Sequence, residues 1–179
     1  MKWFLLLITL LFAIQVHAGN ESQEKIAVLN VIKNYSGAVA CSTNFEDGDS
    51  LDSYLKNVYT IDRDDESGSA TYYVLWSGDM GCPSGSGTYS FFISEVSRYT
   101  NNRPFLVQNN EAFGLDIENK INFRFIDSVT KINSNHFAIV SSEYADGDSN
   151  NFPSLKYKYT IKTKGLRGPW YVTNKTLIK

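Results

Sequence analysis

Histidine and cysteine could do the most chemistry in this chain, and both are scarce. The sequence has two histidines, His17 and His136, and two cysteines, Cys41 and Cys82. His17 lies in an apolar leader that we expect to be removed, which leaves one histidine. A cysteine–histidine dyad or a metal site with two histidines needs more than this, and a serine–histidine–aspartate triad would have to use His136. His136 follows a typical turn sequence, Asn133-Ser134-Asn135, and we expect it to be exposed at a hairpin.

The cysteine pair predicts a disulfide between Cys41 and Cys82. In an exported protein two cysteines usually form a bond, whereas in the cytosol they would more often bind a metal or act in redox chemistry. Closing a loop of this length stabilises a fold by roughly 4 kcal/mol in the chain-entropy model. Two buried free thiols are the alternative.

Acidic residues are numerous, but none has the spacing of a known site. Residues 47–50 and 146–149 both read Asp-Gly-Asp-Ser, which suggests calcium because calcium prefers several oxygen ligands. The sixth position of an EF-hand loop requires glycine, and here it is Asp52 or Asn151. We therefore interpret both segments as turns and expect neither a metal nor a cofactor. Paired carboxylates for glycoside hydrolysis stay open as an alternative.

The most unusual stretch, residues 76–87, is rich in glycine and serine and joins two apolar strands. A Cys41–Cys82 bond would tie it to the end of the first helix, and a loop held in one arrangement suits recognition. We predict that it contacts a partner protein; a tied hairpin without a partner is the alternative, and Trp76 could instead belong to the core. The predicted contact residues are Trp76, Asp79, Met80, Ser84 and Tyr89.

The end of this loop, Ser86-Gly87-Thr88-Tyr89, resembles the Ser-Gly-x-x-Tyr signature of bacterial periplasmic lysozyme inhibitors. It is one residue shorter, which on a strand turns the tyrosine to the opposite face. The resemblance implies a small exported protein that blocks the cleft of another enzyme. The predicted outline of helix and sheet also resembles cystatin-like and NTF2-like domains and some immunity proteins.

Four lysines, Lys156, Lys158, Lys162 and Lys164, alternate with Leu155, Tyr157, Tyr159 and Ile161. This pattern predicts a strand with one buried and one solvated face. We interpret the lysines as protection of an exposed sheet edge. A surface for an acidic partner is the alternative.

Residues 1–18 have the features of a secretory signal peptide. Lys2 precedes an apolar run shorter than a membrane span requires, and Val16-His17-Ala18 fits cleavage before Gly19. Removing Lys2 leaves 16 of the 17 basic residues against 19 acidic ones. A weakly acidic chain does not favour nucleic acid or anionic membranes as partners. We expect a periplasmic or secreted protein of residues 19–179 without a membrane anchor.

Hydrophobic periodicity predicts a helix over residues 21–35, begun by a capping box at Asn20, and a short helix over 51–57. Strand patterns dominate the rest: 59–63, 71–77, 88–96, 105–108, 121–132, 137–144, 155–164 and 170–177. We expect one α+β domain, with the N-terminal helix on a largely antiparallel β-sheet.

Export, the lack of a catalytic constellation and the tied loop together suggest a non-enzymatic binding protein. We expect it to neutralise a partner enzyme or toxin, as an inhibitor or immunity protein does. A small-ligand-binding domain is the alternative, and a carboxylate-dependent hydrolase ranks third.

Overall fold

One long helix and eight strands build the fold in the parts of the chain that the computed structural model describes. These are residues 2–82, 87–165 and 168–179, with side chains from Glu21 onward. The helices are α1 (Lys2–Val39), α2 (Leu51–Leu55) and α3 (Leu115–Glu118). The strands are β1 (Val58–Arg63), β2 (Ala70–Asp79), β3 (Tyr89–Arg98), β4 (Leu106–Asn109), β5 (Ile126–Asn133), β6 (His136–Glu143), β7 (Leu155–Thr163) and β8 (Trp170–Leu177).

The strands form two four-stranded sheets, both antiparallel throughout. Sheet A has the order β1-β2-β3-β4 and sheet B the order β5-β6-β7-β8. The predicted α+β class with a helix on antiparallel sheet and one disulfide is confirmed. The finding beyond the prediction is the division into two sheets, with sheet A between α1 and sheet B.

Strand β2 explains this layering because it is buried on both faces. Tyr72, Val74 and Trp76 point towards α1, where they meet the buried helix residues Leu29 and Ile32. The alternate residues Tyr73 and Leu75 point to the other side, into the cluster shared with sheet B. A strand covered on both faces needs a nearly continuous apolar run, which is what this segment has.

Aromatic rings fill the space between the two sheets. Phe113 lies 4.9 Å from Trp170 and 5.2 Å from Phe137, measured between ring centroids. Tyr73 of sheet A lies 5.7 Å from Phe113. Edge-to-face contacts of this kind stabilise beyond the area that they bury.

A buried carboxylate holds α1 to sheet A. Glu24 is 4% exposed and accepts hydrogen bonds from Tyr72 (2.7 Å), Arg63 (2.9 Å) and Arg98 (2.7 Å), one residue from each of the three neighbouring strands. Burial acts to raise the pKa of Glu24, but the hydrogen bonds from Tyr72, Arg63 and Arg98 outweigh it and hold the pKa below its usual value. The helix is therefore fixed in position on the sheet.

The predicted starts of α1 and β5 are wrong. Helix α1 begins at Lys2, so Asn20 lies inside the helix and is not a cap. The leader consists largely of helix-forming residues, and the single Gly19 costs only about 1 kcal/mol. Strand β5 begins at Ile126, because Asn122 accepts a hydrogen bond from the Arg124 amide (3.2 Å) and starts a 3-10 turn instead.

Strand β7, which carries the lysines, has the predicted alternation of buried and exposed residues but does not lie at the predicted sheet edge. Tyr159 and Ile161 are buried while Lys158 and Lys162 are exposed. Leu155 and Tyr157, expected in the core, are only half-buried. Since β7 pairs with both β6 and β8, it is not an edge strand, and edge protection is not the reason for its lysines.

His136 begins β6 instead of lying exposed in the turn. It is half-buried, and its Nε2 atom is buried without a hydrogen-bond partner among the described residues. Burial and the charge of Lys162, which lies opposite on β7, lower the pKa of His136. The predicted hairpin between β5 and β6 is present.

Candidate functional site

The chain that follows α1 pairs with the end of β2. The Cys41 amide donates to the Asp79 carbonyl oxygen (2.8 Å), and the Asp79 amide donates to the Ser42 carbonyl oxygen (3.0 Å). Thr43 forms an antiparallel bridge with Gly78. A Cβ at Gly78 would lie 2.8 Å from the Ser42 carbonyl oxygen, so this close approach requires glycine. With this segment on one side and β3 paired as far as Tyr89 on the other, β2 runs to Asp79, whereas the sequence predicted a strand that ends at residue 77.

A disulfide and a hydrogen-bonded turn hold residues 80–82, which follow Asp79. Cys41 and Cys82 form the predicted disulfide, with their Cα atoms 5.5 Å apart. The Asp79 carboxylate accepts hydrogen bonds from the amides of Gly81 (3.0 Å) and Cys82 (3.1 Å). Cys82 has a positive φ of 53°, a conformation that favours glycine. The bond and the Asp79 turn together hold it there.

A chain of hydrogen bonds leads from the core to the surface of this loop. The buried Trp76 indole donates to the Ser94 hydroxyl (2.8 Å), which donates to the Asn110 side-chain oxygen (2.7 Å). The Asn110 amide then donates to the Met80 sulfur (3.8 Å). Trp76 also packs on Phe92, with ring centroids 4.7 Å apart. The position of Met80 is thereby linked to the core.

Two large side chains are exposed where β2 ends and β3 begins. Met80 is 39% exposed and Tyr89 is 38% exposed. The Tyr89 and Ser77 hydroxyls are hydrogen-bonded (2.9 Å), which fixes the ring at its polar tip. We call Met80 and Tyr89, with the described residues between them, the tied-loop surface.

Arg124 extends this surface. A Cβ at Gly87 would lie 3.8 Å from the Arg124 guanidinium, so the returning side of the loop passes close to it. The guanidinium donates to the Tyr144 hydroxyl (3.4 Å) and to the side chains of Asn150 and Asn151. The segment that holds Arg124 also carries Phe152, which at 75% is the most exposed large apolar side chain among the described residues.

The predicted contact residues have different places in the structure. Met80 and Tyr89 lie on the tied-loop surface. The Asp79 carboxylate supports this surface through its hydrogen bonds to the amides of Gly81 and Cys82. Trp76 is 1% exposed, so it belongs to the core and cannot meet a partner directly. Ser84, like Ser86 of the inhibitor-like segment, lies outside the described residues.

Sequence reasoning missed Arg124 and Tyr144. A single arginine between two phenylalanines, Phe123 and Phe125, was the local signal. Nothing in the sequence links this position to Gly87, because the two meet only through the packing of sheet A against the 3-10 turn.

The second Asp-Gly-Asp-Ser segment is a turn. The Asp148 carboxylate accepts hydrogen bonds from the amides of Ala145 (2.7 Å) and Ser154 (2.8 Å) and from the Ser154 hydroxyl (2.9 Å). These bonds hold the pKa of Asp148 below its usual value. Among the described residues no group of three or more histidine, cysteine or acidic side chains could hold a metal.

No family model, curated protein or solved structure matches this chain. The disulfide is typical of an oxidising compartment outside the cytoplasm. Within the described residues, no helix has the length and apolarity that a membrane span requires.

Proposed function

We propose that this chain is an exported binding protein, periplasmic or secreted, which neutralises a partner enzyme or toxin through the tied-loop surface. The observation that carries the proposal is the number of ties on one short loop. A disulfide, a backbone ladder, the Asp79 turn and the bond to Asn110 all hold it. Binding costs less entropy when the contact residues are already ordered.

The chemistry of the surface also supports a protein partner. Tyrosine and arginine are enriched among the residues that dominate binding energy at protein interfaces, and Tyr89 and Arg124 lie on this side of the molecule. Met80 adds a flexible apolar side chain, which adapts to irregular surfaces.

Binding is favoured over catalysis because several carboxylates already have structural partners. Glu24 is paired with two arginines, while Asp79, Asp64 and Asp148 each accept backbone hydrogen bonds that hold a turn. A general acid or base needs a proton-transfer site within reach of a substrate, which these positions do not offer.

The test is inhibition. The oxidised protein, immobilised through its C-terminus, is used to capture partners from the exported fraction of its source, and each captured enzyme is assayed with increasing amounts of free protein. We expect a captured enzyme or toxin to lose activity at a 1:1 ratio. Capture of enzymes that keep full activity under saturating protein would contradict the proposal.

A further inference from the structure

The inner face of sheet A, which packs against sheet B, changes from apolar to polar residues at the end far from the tied loop. Tyr73, Leu75 and Ile93 on this face are buried in the cluster shared with sheet B. Further along the same face the paired residues are Thr71 and Ser97. Thr71 and Asp79 lie at opposite ends of β2, roughly 26 Å apart at the usual rise of a strand. This second region is therefore separate from the tied-loop surface.

A cavity of about 300 Å³ opens where the apolar cover ends. Its wall includes polar side chains from all four strands of sheet A or the residues that follow them. These side chains are Asp62, Thr71, Glu95, Ser97, Tyr99 and Gln108. The volume lies at the lower end of the range for small-molecule sites.

Several of these polar groups have no protein partner. Among the described residues, the side chains of Asp62, Thr71, Ser97 and Gln108 make no hydrogen bond or ion pair. Ser97 is only 8% exposed. Polar groups on the inner side of a sheet are normally paired within the protein. Since these side chains are not, they can form hydrogen bonds with a ligand.

The charge of the cavity is negative because Asp62 on its wall has no ion-pair partner among the described residues, whereas Glu95, the other acid there, already has an interaction within the protein. Among the described residues of the wall, Arg98 is the only basic one. The Arg98 guanidinium, however, points to the helix side of the sheet, where it donates to Glu24 (2.7 Å) and to the Gly68 carbonyl oxygen (2.8 Å) and lies over Phe105. Its charge is already compensated there.

An exposed aromatic ring stands at the rim. Tyr99 is 63% exposed and borders the cavity together with Gln108. Tyrosine rings attract cations over their faces. Ammonium and guanidinium groups carry only donors, whereas carboxylates, hydroxyls and amide oxygens all accept.

We propose that this cavity binds a cationic amine, either a free polyamine or the basic side chain of a peptide. The cation would lie against the Asp62 carboxylate with the Tyr99 ring over it, and its N–H groups would donate hydrogen bonds to the hydroxyls of Thr71 and Ser97.

The test is amide NMR of the ¹⁵N-labelled protein, titrated with spermidine or with N-acetyl-argininamide. We expect saturable shifts of the Thr71, Ser97 and Gln108 amides with at least one probe, and the tighter probe identifies the source of the amine. Asp62→Asn should weaken binding about tenfold, the usual scale for a lost charged hydrogen bond.

Asp65→Asn is the matched control, because this neighbouring acid pairs with Arg63 (2.6 Å) and does not line the cavity. It should bind like wild type. Equal weakening in Asp65→Asn, no saturable shift with either amine, or shifts caused by a neutral disaccharide instead would each overturn the proposal.

Discussion

Replacing Glu24 by glutamine tests how α1 is held to sheet A, and with it the position of Cys41. The Glu24 side chain is 5% exposed, and those of Arg63 and Arg98 are 17% and 14% exposed. In Glu24→Gln the Arg98 guanidinium loses its counter-charge, Arg63 keeps only the exposed Asp65, and the NH2 group of the new amide faces other hydrogen-bond donors. Removing one partner of a buried ion pair costs about 3–5 kcal/mol, so we expect the free energy of unfolding at pH 7 to fall by about 3 kcal/mol.

The pH dependence gives a second, independent readout. Hydrogen bonds from Tyr72, Arg63 and Arg98 lower the pKa of Glu24 below 4.5. Its contribution to stability is thus complete above about pH 4.5 and is lost as the pH falls through the folded-state pKa. Urea unfolding of wild type and Glu24→Gln should differ at pH 7 and converge towards pH 3.

The control for this experiment is Asp65→Asn. The Asp65 side chain is 49% exposed and pairs with the same Arg63. Asp65→Asn should lower the free energy of unfolding by less than about 1 kcal/mol, because exposed ion pairs contribute little. A Glu24→Gln variant within about 1 kcal/mol of wild type at pH 7, or a gap that stays constant at low pH, would refute the assigned anchoring role.

Three further predictions concern the disulfide, the register of β7 and the half-buried acid Glu118. Dithiothreitol should expose two alkylatable thiols at Cys41 and Cys82 that are absent beforehand, and should lower the free energy of unfolding by roughly 4 kcal/mol; free thiols in the native protein would contradict the bond. Tyr159→Ala should destabilise by about 3–5 kcal/mol in urea unfolding, and Lys158→Ala by less than about 0.5 kcal/mol; similar losses would contradict the register of β7. Burial and the charge of Glu111 raise the pKa of Glu118 to about 7, so its ionisation destabilises the fold as the pH rises from about 4.5 to 7. Glu118→Gln should therefore be more stable than wild type at pH 8, by about 1–2 kcal/mol because water screens the half-buried carboxylate, and no more stable at pH 4.

Features set by local chemistry were predictable from the sequence. The alternation of Lys158 with Tyr159 follows directly from the two faces of a strand, and the short helix α2 begins where predicted because the Ser50 hydroxyl caps it at the Ser53 amide. The disulfide followed from the number of cysteines and the expected compartment.

Features set by distant pairing were not predictable. Strand β2 reaches Asp79 because both β3 and a segment near Cys41 pair with its end, and Trp76 is core because α1 covers that face of the sheet. Arg124 meets Gly87 only after the chain has folded. The division into two sheets likewise depends on which strands pair, and the periodicity of single strands does not contain that information.

The central claim is that the tied-loop surface carries the partner contact. The most direct measurement is the dissociation constant of the captured partner for Met80→Ala and Tyr89→Ala, with Tyr171→Ala as the matched control on β8. Tyr89 and Tyr171 are 38% and 39% exposed, so both truncations remove the same ring from a similar surface position. We expect Met80→Ala and Tyr89→Ala to keep the wild-type melting temperature within a few degrees and to weaken binding at least about tenfold, as a lost interface anchor does, while Tyr171→Ala binds like wild type. Wild-type affinity in both loop variants, or equal weakening in Tyr171→Ala, would contradict the account.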